Sequence, residues 1–176
     1  MAHKKGEAKS VKAASLGGIR QITGTMNGKG LKIGIVVSRF NESLTTELAR
    51  SAIAALTKHG VRKADILVHW VPGAYEVPAV IHLLAREKRF DALIALGLVI
   101  EGETPHADMI NREVAHYLAK TSRKCSIPVI HEVVATRNIE QAVSRITSGK
   151  KSRGWYAGCA AVEMATLYRA MEKNDD

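Results

Sequence analysis

The sequence contains little cysteine, few aromatic residues and no long apolar run. Cys125 and Cys159 are the two cysteines among 176 residues. Each stands alone in an apolar neighbourhood, so we expect buried free thiols in a reducing cytoplasm, in preference to a disulfide or metal pair. The chain has no run of about eighteen apolar residues and no signal-peptide pattern. These absences predict a cytoplasmic protein without a membrane span.

Metal and cofactor sites also lack their usual sequence signals. No set of cysteine and histidine residues has the spacing of metal ligands, and there is no full dinucleotide-binding fingerprint. We therefore expect neither a metal nor an organic cofactor. Four histidines are interpreted as structural or exposed, namely His59, His69, His82 and His116.

Positive charge is in excess, and much of it lies at the N-terminus. The net charge is +9, and the first twenty residues contain Lys4, Lys5, Lys9, Lys12 and Arg20 against Glu7. Because this stretch is also poor in large apolar residues, we interpret residues 1–20 as a basic mobile tail. No aromatic platform or recognition-helix pattern accompanies the charge, so nucleic acid is not expected as a partner. A basic pocket for a phosphorylated small molecule is the simpler explanation.

From residue 31 onward, apolar segments typical of buried strands alternate with segments of helical periodicity. We predict strands at 31–37, 64–70, 91–100 and 127–134, and interpret 21–26 as a further short strand. The intervals are helical, and two more helices are expected near 138–148 and 154–172. This order predicts right-handed βαβ units, and thus one α/β domain whose parallel sheet has helices on both faces.

The chemistry of the chain changes abruptly where the third predicted strand ends. The apolar residues 92–100 are followed by Gly102, Thr104, Pro105 and His106. Gly102 permits close approach of a ligand, Thr104 can cap the next helix, and Pro105 suits the first position of that helix. Backbone amides, a hydroxyl and an imidazole would then face the crevice at the sheet end. This predicts an anion site with a proton-transfer group beside it.

The other strand ends carry residues suited to a planar polar substrate. The first strand ends in Arg39-Phe40-Asn41, where a ring can stack and an amide can hydrogen-bond. The second strand ends in the tight turn 71–76, which places Glu76 at a helix start. The fourth strand precedes Gln141 and Arg145, and arginine is a cation well suited to binding phosphate. Taken singly, Phe40 is more often a core aromatic, and Glu76 and Arg145 are more often solvated. Their joint placement at strand ends favours a binding site.

In combination these segments resemble lumazine synthase, a family that acts in riboflavin biosynthesis. The resemblance is carried by 39–41, 71–76, 97–106, 141–145 and 160–164, and it covers about residues 21–172. It implies a flavodoxin-like three-layer α/β/α sandwich with a four-stranded parallel sheet, as a single domain at residues 21–173. It also implies a transferase that condenses 5-amino-6-(D-ribitylamino)uracil with 3,4-dihydroxy-2-butanone 4-phosphate. The products would be 6,7-dimethyl-8-ribityllumazine and phosphate, formed without a metal or organic cofactor.

The resemblance assigns a role to each site residue. Residues expected to bind the pyrimidine and its ribityl chain are Phe40, Ala74, Tyr75, Glu76, Leu98, Val99 and Ile100. Residues expected to bind the phosphate are Glu103 (through its amide), Thr104 and Arg145. His106 is the expected proton shuttle, and the helix N-terminus should disfavour its cationic form.

Several positions depart from the family pattern. His131 stands where the family typically has a phenylalanine that closes the pocket from a neighbouring subunit. Ser144 replaces a frequent glutamate, Arg153 replaces a lysine, and residues 107–109 lack two common aromatics. We expect catalysis to survive these changes, with weaker and more pH-dependent binding of substrates.

The resemblance also implies an assembly. Members form homopentamers with active sites between subunits, and some build icosahedral shells of pentamers, with riboflavin synthase as a further partner. No insertion between residues 145 and 153 obstructs a shell, so we favour one. Two other functions stay open at this point. One is a non-catalytic flavin- or lumazine-binding homologue, and the other is a shell-forming scaffold whose tail packages nucleic acid.

Overall fold

The computed structural model describes residues 17–172, which form four strands and five α-helices; strands and helices alternate, and two helices follow the last strand. The strands are β1 (Ile33–Ser38), β2 (Ile66–Val71), β3 (Ala92–Ile100) and β4 (Val129–Thr136). The helices are α1 (Glu42–Lys58), α2 (Val77–Arg86), α3 (His106–Cys125), α4 (Ile139–Ile146) and α5 (Arg153–Glu172).

All four strands are parallel and are arranged in the order β2-β1-β3-β4. The inner strands β1 and β3 are apolar almost throughout, and every residue of β1 is buried. Ser38 pairs with Val71, and Ile100 with Thr136, so the carboxyl ends of the strands lie along one edge of the sheet. The predicted α/β fold with a four-stranded parallel sheet is confirmed.

Helices cover both faces of the sheet and create two separate cores. On one face, α1, α4 and α5 pack on the sheet through residues such as Leu48, Ile146 and Ala161. On the other face, α2 and α3 pack through Ile81 and Val114. The result is the expected three-layer sandwich, with the carboxyl ends of its strands along one edge of the sheet.

The expected short strand at 21–26 is wrong. In place of a strand there is a single bridge residue, Thr25, and the segment packs alongside α5. The Thr166 hydroxyl accepts from the Thr25 amide at 2.8 Å and donates to the Thr25 carbonyl at 3.0 Å. Gly24 is buried against the backbone of Glu163, where a Cβ would have no room. Contacts with a helix thus replace the strand ladder.

The expected start of α3 is also corrected. The helix begins at His106, Pro105 occupies the cap position, and no side chain caps the first turn. The Met109 amide donates to the Pro105 carbonyl at 3.2 Å. Because Pro105 takes the cap position, Thr104 stands one residue outside the place from which a hydroxyl caps a helix. Its hydroxyl is not used as a cap.

Two further predictions concern the termini and the thiols. Residues 1–16 and 173 lie outside the described residues, so the tail at 1–20 and the domain boundaries stay predictions. Cys125 and Cys159 are free thiols, as expected, but both are only half-buried because they lie near the surface of α3 and α5. Between residues 17 and 172, no helix is long and apolar enough to cross a membrane.

Candidate functional site

Two backbone hydrogen bonds and one side-chain hydrogen bond tie the ends of β1, β2 and β3 together. The Arg39 amide donates to the Val71 carbonyl at 2.8 Å, and the Phe40 amide donates to the Pro72 carbonyl at 3.0 Å. Asn41 adopts a left-handed conformation with φ of 62°, which asparagine tolerates better than most residues. Its side-chain amide donates to the Leu98 carbonyl at 3.5 Å. These bonds fix the floor of a crevice at the sheet end.

Two exposed aromatic rings stand at this crevice. Phe40 is 70% exposed and Tyr75 is 63% exposed, so neither belongs to the core. The structural alternative for Phe40, a core aromatic, is therefore wrong. Exposed rings held by fixed strand ends offer flat apolar surfaces on which a planar ligand can stack.

Glu76 is held at the start of α2 by its own turn. The Gly73 amide donates to Oε2 of Glu76 at 2.9 Å, and Glu76 immediately precedes the first residue of α2. The side chain is exposed, so its other carboxylate oxygen can accept from a ligand hydroxyl. This geometry confirms the predicted carboxylate at a helix start.

A cavity of about 740 Å³ joins these elements. Such a volume suits a small-molecule site. Most of the residues predicted from the sequence line it, namely Phe40, Ala74, Tyr75, Glu76, Leu98, Val99, Ile100, Thr104 and His106. Gly102 lines it as well. The structure therefore brings the ends of β1 and β3, the turn after β2 and the start of α3 into one cleft.

Besides Ala107, three lining residues on α3 were not predicted: Met109, Ile110 and Glu113. They follow His106 at intervals of three, four and seven residues, which are the intervals that place side chains on one face of a helix. This periodicity was available in the sequence once His106 was chosen. Glu113 adds a carboxylate to the wall that carries the imidazole.

Glu103 and Arg145 are not part of the cleft lining in a single protomer. Arg145 is exposed and lines a separate polar pocket of about 400 Å³ with Asp108, Thr136, Arg137 and Gln141. Asp108 lies on a different face of α3 from His106. Arg145 thus approaches the start of α3 from outside the cleft. The Thr136 hydroxyl in this pocket is buried and has no hydrogen-bond partner among the described residues.

The remaining predicted residue, His131, lies on the edge strand β4 and is exposed. Its Nδ1 accepts from the Val133 amide at 3.3 Å. Partial burial of the ring lowers the pKa of His131, and the nearby positive charge of Arg153 lowers it further. The same strand carries Glu132, whose carboxyl pKa is raised by burial, although its hydrogen bonds to Arg153 oppose the rise.

Residues 17–172 contain no group of three or more histidine, cysteine, aspartate or glutamate side chains arranged to hold a metal ion. The cleft offers two aromatic rings, the carboxylates of Glu76 and Glu113, a threonine hydroxyl and an imidazole.

Comparison with known proteins gives a consistent result. Residues 30–169 match the model of the 6,7-dimethyl-8-ribityllumazine synthase family. The 6,7-dimethyl-8-ribityllumazine synthases of two strains of Clostridium kluyveri are each 43% identical to this chain over 149 residues, which is 85% of the chain and 97% of the relative. The chain belongs to the 6,7-dimethyl-8-ribityllumazine synthase family.

The match to the lumazine synthase family confirms the resemblance seen in the sequence. It spans every strand and the whole series of predicted site residues, from Phe40 to Arg145. The positions that differ from the family pattern also lie inside the matched region, because His131 and Arg153 fall between residues 30 and 169. They are therefore substitutions within a lumazine synthase domain.

Proposed function

We propose that the cleft at the carboxyl ends of β1 and β3 is the active site of a lumazine synthase. The enzyme is a transferase of riboflavin biosynthesis. It condenses 5-amino-6-(D-ribitylamino)uracil with 3,4-dihydroxy-2-butanone 4-phosphate, which gives 6,7-dimethyl-8-ribityllumazine and phosphate. The observation that carries the assignment of the site is the single cavity lined by Phe40, Glu76, Thr104 and His106 together.

The pyrimidine end of the site is formed by the tied strand ends. The exposed ring of Phe40 stacks on the pyrimidine, while residues 98–100 offer backbone groups to its edge. Ala74, Tyr75 and Glu76 face the ribityl chain, and the unpaired oxygen of Glu76 accepts from its hydroxyls. The binding groups are fixed before the substrate arrives, so little ordering is needed on binding.

His106 moves protons in the steps that follow. The substrate amine attacks the ketone carbonyl and water leaves, which forms an imine. Phosphate is then eliminated, and ring closure with loss of a second water completes the lumazine. Each step transfers a proton that an imidazole at the cleft wall can accept or return. Because both substrates are intrinsically reactive, most of the acceleration comes from holding them together.

The phosphate end of the site draws on two protomers. Thr104 lines the cleft, and the amide of Glu103 lies beside it in sequence at the start of α3, where backbone N–H groups favour anions. Arg145 lies outside the cleft of its own protomer, so we assign it to the cleft of an adjacent protomer. His131, on the open edge of β4, is assigned to the same neighbouring cleft.

An exposed apolar surface supports such an assembly. Leu83 on α2 and Tyr117 on α3 are each about half exposed or more and line one cavity of about 620 Å³, an apolar surface that a neighbouring copy can cover. We propose a homopentamer, the assembly that the family resemblance implies, in the cytoplasm. A shell of pentamers and an association with riboflavin synthase are further proposals of the same kind.

An activity assay combined with sedimentation tests this function. We expect lumazine absorbance to appear when both substrates are added, and we expect it only in fractions that contain assembled protein. His106→Gln should slow turnover about tenfold or more without abolishing it, because proton transfer is one contribution beside positioning. Binding of the pyrimidine without product would indicate the non-catalytic homologue. Full activity in monomeric fractions would contradict the shared site.

A further inference from the structure

Glu132 is a buried carboxylate on the edge strand of the sheet. Its side chain is only 3% exposed, although the flanking residue His131 is exposed. A buried carboxylate is strongly unfavourable unless an opposite charge and hydrogen bonds compensate it. Glu132 does not line the cleft.

Arg153, the first residue of α5, compensates Glu132 with a two-point contact. Its Nε donates to Oε2 of Glu132 at 2.8 Å, and its Nη2 donates to Oε1 at 2.5 Å. The guanidinium carbon lies 4.9 Å from the centre of the Tyr156 ring, which packs against one face of the group. The orientation of Arg153 is therefore fixed by a buried acid on one side and a ring on another.

One edge of the guanidinium is left open. Within residues 17–172, Nη1 of Arg153 has no hydrogen-bond partner, and the side chain is 40% exposed. Arg153 is also close enough to His131 to act on it electrostatically, and Arg145 acts in the same way on Glu132. One carboxylate, two arginines and a histidine thus share the open edge of β4.

We propose that Glu132 is a positioning residue that separates the tasks of the two arginines at this edge. It fixes Arg153 and compensates its charge, so that Nη1 donates to an uncharged oxygen of the pyrimidine substrate. Arg145 has no such two-point partner among the described residues, and it binds the phosphate of the second substrate. The inference rests on the proposed function, because it requires that the β4 edge meets the cleft of an adjacent protomer.

The test measures kcat and the KM of each substrate for the assembled enzyme and for Glu132→Gln. In Glu132→Gln we expect the KM of the pyrimidine to rise about tenfold, because a hydrogen bond to a charged group contributes about this much affinity. We expect kcat to change by less than about twofold. The KM of the butanone phosphate should not rise, because an uncompensated Arg153 adds positive charge near Arg145. The double variant Glu132→Gln/Arg153→Gln should be no worse than Arg153→Gln alone.

Two further variants make the test decisive. Arg153→Lys keeps the charge but loses the two-point contact, so it should show the same selective rise even if Glu132→Gln fails to assemble. Arg62→Gln is the matched control. It breaks the same kind of two-point contact, between Arg62 and Asp65, at an exposed place before β2, and it should change neither KM. Unchanged KM values in Glu132→Gln and Arg153→Lys, or equal rises for both substrates, would overturn the proposal. An inactive wild-type enzyme would instead overturn the proposed function.

Discussion

The proposed site consists of two groups of residues that are held in different ways. The cleft group comprises Phe40, Ala74, Tyr75, Glu76, Leu98, Val99, Ile100, Thr104 and His106, which line one cavity. The edge group comprises His131, Arg145 and Arg153, which lie on β4, α4 and α5 outside that cavity. Backbone hydrogen bonds between strand ends position much of the cleft group. The edge group depends on side-chain contacts, such as the pair of Arg153 with Glu132.

This difference separates what one protomer can do from what an assembly can do. A single protomer already presents rings, carboxylates and an imidazole in one cleft, and the proposed function assigns these groups to the pyrimidine substrate and to proton transfer. Arg145 and Arg153 lie outside this cleft, so under the proposed function a complete site takes them from a second copy of the chain. Heterologous contacts between copies generate a ring when the rotation between neighbours closes, so the proposed arrangement fits a closed cyclic oligomer.

Replacing Arg145 should give the largest single effect. We expect Arg145→Ala to raise the KM of the butanone phosphate by about 10- to 100-fold, because charge-assisted hydrogen bonds to phosphate contribute about 1.5–3 kcal/mol. The KM of the pyrimidine should change far less. Steady-state kinetics with each substrate varied in turn measures both values. Arg50→Ala is a matched control, since Arg50 is an exposed arginine that pairs with Glu47 on α1. Equal rises for both substrates would count against the phosphate role.

Mixing two defective variants should restore part of the activity, which is a smaller effect than the loss caused by Arg145→Ala. Phe40→Asp damages the cleft group, and Arg145→Ala damages the edge group, so neither alone forms an intact site. If each site joins the cleft of one protomer to the edge of the next, random co-assembly regenerates about a quarter of the sites. Co-expression of the two variants followed by a turnover assay measures this fraction. Mixed assemblies no more active than the separate variants would show that both groups act within one protomer.

The strands could be predicted from the sequence because apolar residues dominate their segments, but their starts could not be placed as well. β3 begins one residue later than predicted, at Ala92, whereas the other three strands begin two residues later than predicted. Leu31 and Ile127, at the predicted starts of two strands, explain part of this shift. Both are buried yet lie before the strands begin. Burial and ladder hydrogen bonding are separate properties, and hydropathy reports only the first.

The cleft group was predictable for a physical reason that does not extend to the edge group. In a parallel sheet, residues that follow strands meet at one edge, so position in the sequence gives position in space. Glu132 lies inside a strand, and its partner Arg153 is 21 residues away on a helix. No periodicity links the two residues. Their contact depends on how α5 docks on β4, which is a property of the tertiary structure.

The smallest expected effect concerns the charge of His131 in the edge group. In the folded protein, partial burial of the ring and the charge of Arg153 lower the pKa of His131. The imidazole therefore takes up a proton at a higher pH in the unfolded chain than in the folded chain. The folded state therefore loses stability through His131 as the pH falls below about 6.5, and this loss is absent at higher pH. His131→Phe, which cannot titrate, should narrow the fall in Tm between pH 7.5 and pH 5.5 at a fixed protein concentration.

His131→Gln separates this effect from the packing of the new ring. Glutamine is uncharged at both pH values, so its Tm should show the same reduced dependence on pH as that of the phenylalanine variant. If both variants lose Tm towards acid as steeply as the wild type, His131 does not titrate in this range. The pH sensitivity would then belong to another group, and His131 would act at the neighbouring cleft by shape alone.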